Sequence, residues 1–380
     1  MTDDQTIAEL RALFPVVDHW TYLHNGSVHA CPTPVADAMR GFLDEWQRGG
    51  EAALFSGIGA FLRLREKLAR LIGAKADNIV ITESTTAALN LAAQILEPRA
   101  DQNVVVTDLA YMSSTYLWLA SKSAVSDVRF VKSRGGKIDV ADLVAKLDEK
   151  TAAVSVCAVT VASGYRFDLE TLHAETGARG IPLIVDGAQA VGLVEVDVKR
   201  PPVDFLAMTA SKWLMGPAGV GFLYLADRYL DVTPPTVGWL AAANVGDFDA
   251  QRVKLHHGGM RFQGGIPNLV GVVGAEAALD FLERVGRPFI ERRVRDLTTY
   301  ALEGLEKLGL EIWTPRPAAE RAGIVFFRAP EAKQLQKRLR DARIYCGLFL
   351  GGIRIDPNFY NTHAEIDRLL EVVAAHLKAA

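Results

Sequence analysis

Two periodicities alternate along the chain. From about residue 60, segments with an apolar stripe at every third or fourth position (FLRLREKLARLIG, TTAALNLAAQIL, VADLVAKLDEK, LETLHAETGARG) are interleaved with short apolar runs (NIVIT, NVVVTD, AAVSVCAVT, IPLIVD). The first kind has the 3.6-residue period of half-buried helices. The second is rich in Val and Ile and apolar on both faces, as strands covered by helices on both sides must be. The alternation predicts an α/β unit built on a mostly parallel sheet. Two further runs, DFLAMTAS and GVGFLYL, are separated only by KWLMGPA, too short a link for a crossover helix, so they are expected to pair antiparallel. The N-terminal MTDDQTIAELRALFP reads as a short amphipathic helix. Between Pro234 and Gly265 the doublets Pro234-Pro235, Gly258-Gly259 and Gly264-Gly265 crowd a segment of weak periodicity, expected to be a long functional loop. Beyond it come two long helical patterns, LVGVVGAEAALDFLERVG and PFIERRVRDLTTYALEGLEKLG. The strand IVFFRA, the helix KQLQKRLRDA, two short strands and the helix AEIDRLLEVVAAHL complete a smaller C-terminal α/β unit.

Composition narrows the classes of function. A chain of 380 residues, 49% hydrophobic and 23% charged, suits two folded units and excludes a disordered or collagen-like protein. With 42 Lys+Arg against 45 Asp+Glu the net charge is −3, so no basic field exists to hold a phosphate backbone and nucleic acid is not expected as a partner. Cys31, Cys157 and Cys346 are an odd number, far apart, with no CxxC pair, which points to a reducing compartment. The acidic N-terminus is unlike a signal peptide, and no uninterrupted apolar run reaches about 18 residues. The expectation is a cytoplasmic protein without a membrane span. The histidines, among them His24, His29 and the pair His256-His257, form no HExxH or Cys/His cluster, so no metal is expected. GPAGVG is not GxGxxG and does not open a βαβ unit, which argues against a dinucleotide site.

The segments IPLIVDGAQA and DFLAMTASKWLMGPAGVGFLYL carry the strongest chemical signal. Asp186 stands where a buried strand runs out, the end at which open α/β sheets hold ligands. Lys212 follows the next apolar run, in a stretch without another charge. A lysine so placed is desolvated and reactive, or covalently used. Singly, Asp186 could cap a helix and Lys212 could snorkel to the surface. Together they suit pyridoxal 5'-phosphate (PLP), for which a lysine forms a Schiff base and an acid keeps the pyridine nitrogen protonated. Ser84, Thr85 and Thr86 precede an apolar helix, where hydroxyls and free backbone N–H groups can meet a phosphate at the positive end of the helix dipole; one of them is also expected to be a plain N-cap.

VDGAQAVG, ASKWLMGPAGVGFLYL, RFQGGIPN and IRIDPNFYNTHAEIDRL, in this order, resemble the class V aminotransferase group of fold type I PLP-dependent enzymes, with the cysteine desulfurase, kynureninase and isopenicillin-N-epimerase-like branches nearest. The resemblance runs from about Tyr22 to Leu370. It implies a mostly parallel seven-stranded sheet in a large domain, residues 20–282, and a small domain formed by residues 1–19 and 283–380. It implies PLP as the cofactor, with Lys212 as its covalent anchor and Asp186 at its ring nitrogen. Thr85, Thr86, Thr209 and Ser211 then reach the phosphate, Tyr111 stacks on the ring, and Gln189 meets the phenolic oxygen. Arg354 grips the α-carboxylate of an amino-acid substrate, as the planar guanidinium fork suits, and Asn25 lines the substrate side. A homodimer follows, its 261–268 loop near the partner's active site, with Ile266 where the family has a threonine.

The resemblance leaves several reactions open. Desulfurases have a mobile, histidine-flanked cysteine loop ahead of the arginine and commonly a histidine where Ser211 stands. Here the only candidate is Cys346, in ARIYCGLFLGGIR, which reads as a strand with a short apolar turn and favours a structural thiol. The expected activity is a PLP-dependent lyase acting on a β-substituted amino acid, with an aminotransferase or epimerase as the alternative, a desulfurase behind these, and a catalytically silent interaction protein as the non-enzymatic reading. Trp239, His256 and His257 are candidate determinants of the substrate side chain.

Overall fold

The computed structural model describes residues 3–379. The chain opens with α1 (Asp3–Arg11), β1 (Thr21–Tyr22), α2 (Thr33–Gly49) and α3 (Ala52–Leu71). There follows the predicted alternation: β2 (Ile79–Thr82), α4 (Thr85–Leu96), β3 (Asn103–Thr107), α5 (Ser113–Ala120), β4 (Asp127–Val131), α6 (Val140–Val144), β5 (Thr151–Cys157), α7 (Leu169–Ala178) and β6 (Leu183–Asp186). Strands β7 (Phe205–Thr209) and β8 (Gly221–Leu225) lead into the long loop, which contains only short 3-10 turns at 239–241, 245–247 and 258–262. The chain ends with α8 (Leu269–Val285), α9 (Arg287–Lys307), β9 (Glu311–Ile312), β10 (Val325–Arg328), α10 (Ala332–Asp341), β11 (Ile344–Tyr345), β12 (Gly347–Phe349), β13 (Gly352–Ile355) and α11 (His363–Ala379).

Seven strands form one sheet in the order β2-β8-β7-β6-β5-β3-β4. β8 runs antiparallel to both its neighbours, β2 and β7, and the other pairs are parallel. The short KWLMGPA link thus has the consequence expected of it. Side chains alternate across the sheet as strand geometry requires. Val105, Val154, Val156, Val185, Leu206 and Met208 face one core with Phe61, Leu64 and Leu68 of α3 and Val272 and Ala275 of α8. Val104, Val106, Ala153, Ile184, Ala207 and Leu223 face a second core with Ala88, Leu89 and Ala92 of α4 and Leu117 and Trp118 of α5. Both faces are dry, which is why these strands read as continuous apolar runs.

A second sheet, β12-β13-β10-β9, is antiparallel and buries Val325, Phe327, Ile353 and Ile355 against α9, α10 and α11. β1 pairs in parallel with β11, Thr21 opposite Ile344 and Tyr22 opposite Tyr345, and a further bridge joins His24 to Asp356. Phe14 stacks on Tyr360 at 4.1 Å between centroids and meets Phe281 edge-on at 5.9 Å. These contacts carry the N-terminal turn, residues 24–30, across to the end of β13. Among the described residues no helix is long and apolar enough to cross a membrane, and no group of three His, Cys, Asp or Glu side chains could hold a metal ion.

Candidate active site

β2, β3, β5, β6 and β7 run in the same direction, and their C-terminal ends or the segments that follow carry Thr85, Tyr111, Cys157, Asp186 and Lys212. After β2, Ser84 caps α4, its hydroxyl accepting from Ala87 N at 3.1 Å. This is the plain N-cap expected of one of the three hydroxyl residues. Thr85 Oγ1 is buried with no protein partner, while Thr86 Oγ1 shares a 2.7 Å hydrogen bond with Ser113 Oγ. Gly221 of β8 lies opposite Thr82, and a Cβ there would come within 2.4 Å of the Ser84 backbone, so the turn exists only because position 221 has no side chain. The result is a helix N-terminus with unused N–H groups and an unsatisfied hydroxyl, a cradle for a dianion.

Asp186 closes β6, as its place at the end of IPLIVD predicted. It is 6% exposed. Ala188 N donates to its Oδ1 at 2.9 Å and Ser114 Oγ donates to its Oδ2 at 3.0 Å. Cys157, its partner across β5, is a buried thiol pushed up to about 12, first by burial and then by the Asp186 charge. Lys212 follows β7 on a tight turn in which Met215 N donates to Lys212 O at 2.9 Å and Gly216 N to Ala210 O at 2.8 Å. Met215 holds φ at 61°, a left-handed conformation that non-glycine residues seldom adopt and that the surrounding contacts impose. Burial holds the Lys212 amine below the ordinary lysine range; the Asp186 charge opposes that shift and the Arg354 charge adds to it. A lysine with a lowered pKa is neutral more of the time near pH 7 and so a better nucleophile. Its Nζ lies 5.5 Å from the centroid of the Tyr111 ring, which is 39% exposed and open to stacking. Thr209 Oγ1 and Ser211 Oγ are 3.3 Å apart beside the turn.

The smaller sheet supplies the opposite wall. Arg354 of β13 is buried, its Nε and Nη2 donating to Asp356 Oδ1 and Oδ2 at 2.8 and 2.9 Å. Burial would raise the Asp356 carboxyl, but the Arg354 charge and its hydrogen bonds, with His24 close by, hold it below the usual range. The charges of both Arg354 and Asp356 reach Lys212. Gln189 donates from Nε2 to Gly26 O at 2.7 Å and accepts from Trp213 Nε1 at 2.9 Å, which ties the N-terminal turn to the segment bearing Lys212. Asn25 is wholly engaged by protein: Nδ2 donates to Asp356 O at 2.9 Å and Oδ1 accepts from Tyr360 Oη at 2.7 Å.

The structure therefore places Tyr111, Asp186 and Arg354 close enough to Lys212 for ring contact or charge interaction, and sets Thr209 and Ser211 beside the Lys212 turn. Thr86 is joined to Ser113 near Tyr111, Thr85 stands next to it with its hydroxyl unpartnered, Gln189 is tied to Trp213 beside Lys212, and Asn25 is tied to Asp356 beside Arg354. Other residues stay apart. His257 pairs with Asp231 at 2.9 Å, Arg261 Nε donates to His256 O, and Trp239 lies beside Gly265, all on the long loop rather than at Lys212. Cys346 is 1% exposed within the core of the small sheet, and burial pushes its thiol up to about 12. The sequence assigned no role to Ser114 or Asp356, and marked His29 only as one of the histidines that hold no metal. Only Asp356 left a legible signal, an opposite charge two residues from Arg354 and so on the same side of a strand.

Comparison with known proteins gives the family and the fold. The family model "Aminotransferase class-V" matches residues 21–346. A probable cysteine desulfurase of Pyrococcus abyssi is 29% identical over 98% of both chains, and the isopenicillin N epimerase of Streptomyces clavuligerus is 29% identical over 93% of this chain and 94% of its own. The solved apo structure of the cysteine desulfurase from Thermococcus onnurineus superimposes with a TM-score of 0.88 at 27% identity, covering 98% of each chain. The fold is that of the fold type I PLP enzymes. The orphaned Thr85 hydroxyl at the start of α4, and a buried lysine within reach of the Asp186 charge, fit that cofactor. The chain belongs to the class V aminotransferase family of PLP-dependent enzymes.

Proposed function

We propose that the protein is a lyase that breaks the bond between Cβ and its substituent in a β-substituted amino acid, without a sulfur-accepting cysteine. PLP, when bound, supplies an electron sink for the pair left at Cα. Thr85, Thr86, Thr209, Ser211 and the first turn of α4 hold its phosphate, Asp186 its ring nitrogen, Tyr111 its face, and Lys212 its carbonyl carbon. Gln189 borders the phenolic oxygen while bracing Gly26. Arg354 receives the substrate carboxylate, and Asn25 supports that wall. The Lys212 amine would take the Cα proton, and the substituent would leave Cβ with its bonding pair. For a substituted alanine, hydrolysis of the released enamine gives pyruvate and ammonia.

The observation that carries this choice over a desulfurase is the burial of Cys346. A desulfurase needs a thiolate that can travel to the substrate sulfur, whereas this thiol is locked among apolar side chains and lies several units above neutral pH. Cys157 is buried against Asp186, and Cys31 stands near Arg40 at the start of α2. An aminotransferase remains the second reading, favoured by the name of the matching family. We take the chain as units 20–282 and 1–19 with 283–380, assembled as a homodimer whose 261–268 loop approaches the partner's site. The exposure of Ile266 on that loop, and of Trp239 beside Gly265, supports the assembly.

The test is product analysis. Lys212→Ala is expected to remove the visible absorption band of the lysine-bound cofactor. The parent protein, with β-substituted alanines, is expected to release pyruvate and ammonia without any added keto acid, and Cys346→Ala to retain at least about half of that rate. Keto-acid-dependent formation of the pyridoxamine form would establish the aminotransferase instead. Loss of activity in Cys346→Ala with the fold intact would restore the desulfurase.

A further inference from the structure

Arg354 does not stand alone. Side chains two apart on an extended segment share a face, so Arg354 and Asp356 meet, and the Nε–Nη2 edge of the guanidinium is taken by both carboxylate oxygens at 2.8 and 2.9 Å. Arg354 is 4% exposed and Asp356 0%. The pair is pressed against the backbone of Gly26, where an added Cβ would lie 2.5 Å from Nη2 and 3.1 Å from Asp356 Cγ. His24 closes the far side, its Nδ1 3.4 Å from Asp356 Oδ2. Of the five guanidinium donors, Asp356 takes two; among the described residues nothing accepts from Nη1. The Nη1–Nη2 edge is left for a ligand.

This pairing alters what the edge can bind. A buried guanidinium without a counter-ion attracts any small anion. One already joined to a buried carboxylate is close to neutral as a unit, and an arriving anion meets Asp356 only a few ångströms behind the charge that draws it. A free anion gains little there. A carboxylate tethered through its own amine gains more, because it arrives at high effective concentration with its orientation fixed.

We propose that Asp356 is a positioning residue and an anion filter: it fixes Arg354 so that one edge stays open, and it offsets enough charge that only an amine-tethered carboxylate, not a free anion, is held. The proposal rests on the reading of Arg354 as the carboxylate ligand. The experiment uses holoenzyme, with its own phosphate site filled, and inorganic sulfate as the probe, followed by calorimetry; L-alanine, followed in the visible band, reports the amino-acid site. Asp356→Asn, isosteric and uncharged, is expected to tighten sulfate binding by at least about tenfold, a gain that a merely structural defect does not produce. Arg354→Ala is expected to remove that gain. Unchanged or weaker sulfate binding in folded Asp356→Asn overturns the filter. If Asp356→Asn does not fold, the unsubstituted protein decides: it should bind sulfate more weakly than about 1 mM, and tighter binding that Arg354→Ala abolishes overturns the filter. The two readings fail separately. A band indifferent to alanine with the expected sulfate response refutes the amino-acid site; an alanine response without a sulfate response refutes only the filter.

Discussion

At the scale of single residues, His29 shows how its surroundings constrain a titratable group. Its backbone N–H donates to Ser211 O at 2.8 Å, its Nδ1 meets Ala30 O at 2.6 Å, and its Nε2 faces the Asn358 amide nitrogen. A carbonyl accepts and an amide N–H donates, so Nδ1 carries the proton and Nε2 accepts: the ring is held neutral. Burial lowers its pKa from 6.5 to about 4. The sign follows from proton uptake. Below pH 6.5 the unfolded chain protonates this histidine while the folded chain resists until about pH 4, so the unfolded state binds more protons and stability falls as pH drops through that window. The loss should reach about 3 kcal/mol near pH 4. Urea unfolding from pH 7 to pH 4.5 should show a steeper decline in the parent than in His29→Gln; equal slopes would remove His29 as the source. The sequence showed a histidine in YLHNGSVHACP and nothing of its partners, because Ser211 and Asn358 lie far along the chain.

At the scale of elements, the turn that opens α4 depends on a strand remote from it in sequence, β8. Gly221 passes so close to Ser84 that a methyl group cannot be accommodated without displacing the cap of α4. Gly221→Ala should weaken PLP binding to the apoenzyme at least about tenfold and lower stability by about 1–3 kcal/mol. Titration of apoenzyme with PLP and denaturant melts measure the two, and normal cofactor affinity would show that the turn adapts. The hydroxyls of ESTTAALN were legible in the sequence because polar residues before an apolar helix have a local meaning. The need for glycine at position 221 was not, because β2 and β8 are neighbours only in the sheet.

At the scale of the whole molecule, the site spans both sheets. Lys212 and Asp186 come from the large sheet, Arg354 from the small one, and Gln189 and the turn at Gly26 bridge them. Leu43 and Trp46 of α2, Phe55 and Leu62 of α3, and Val237, Trp239 and Ile266 around the long loop are exposed apolar residues of the kind that association covers. Sedimentation equilibrium of the holoenzyme should give twice the chain mass; a fully active monomer at micromolar concentration would contradict the dimer.

By itself the sequence determined what is local or periodic. The double-sided apolar runs dictated a buried, mostly parallel sheet, the short KWLMGPA link forced an antiparallel pair, and strand ends marked Asp186 and Lys212 as candidate site residues. Tertiary structure decided everything that rests on residues remote in the chain. It enclosed Cys346 in apolar side chains, gave Gln189 its two partners, and set Gly26 and Asp356 around Arg354. The physical reason is that periodicity and capping act over a few residues, whereas burial and charge pairing depend on distances that only the folded chain creates.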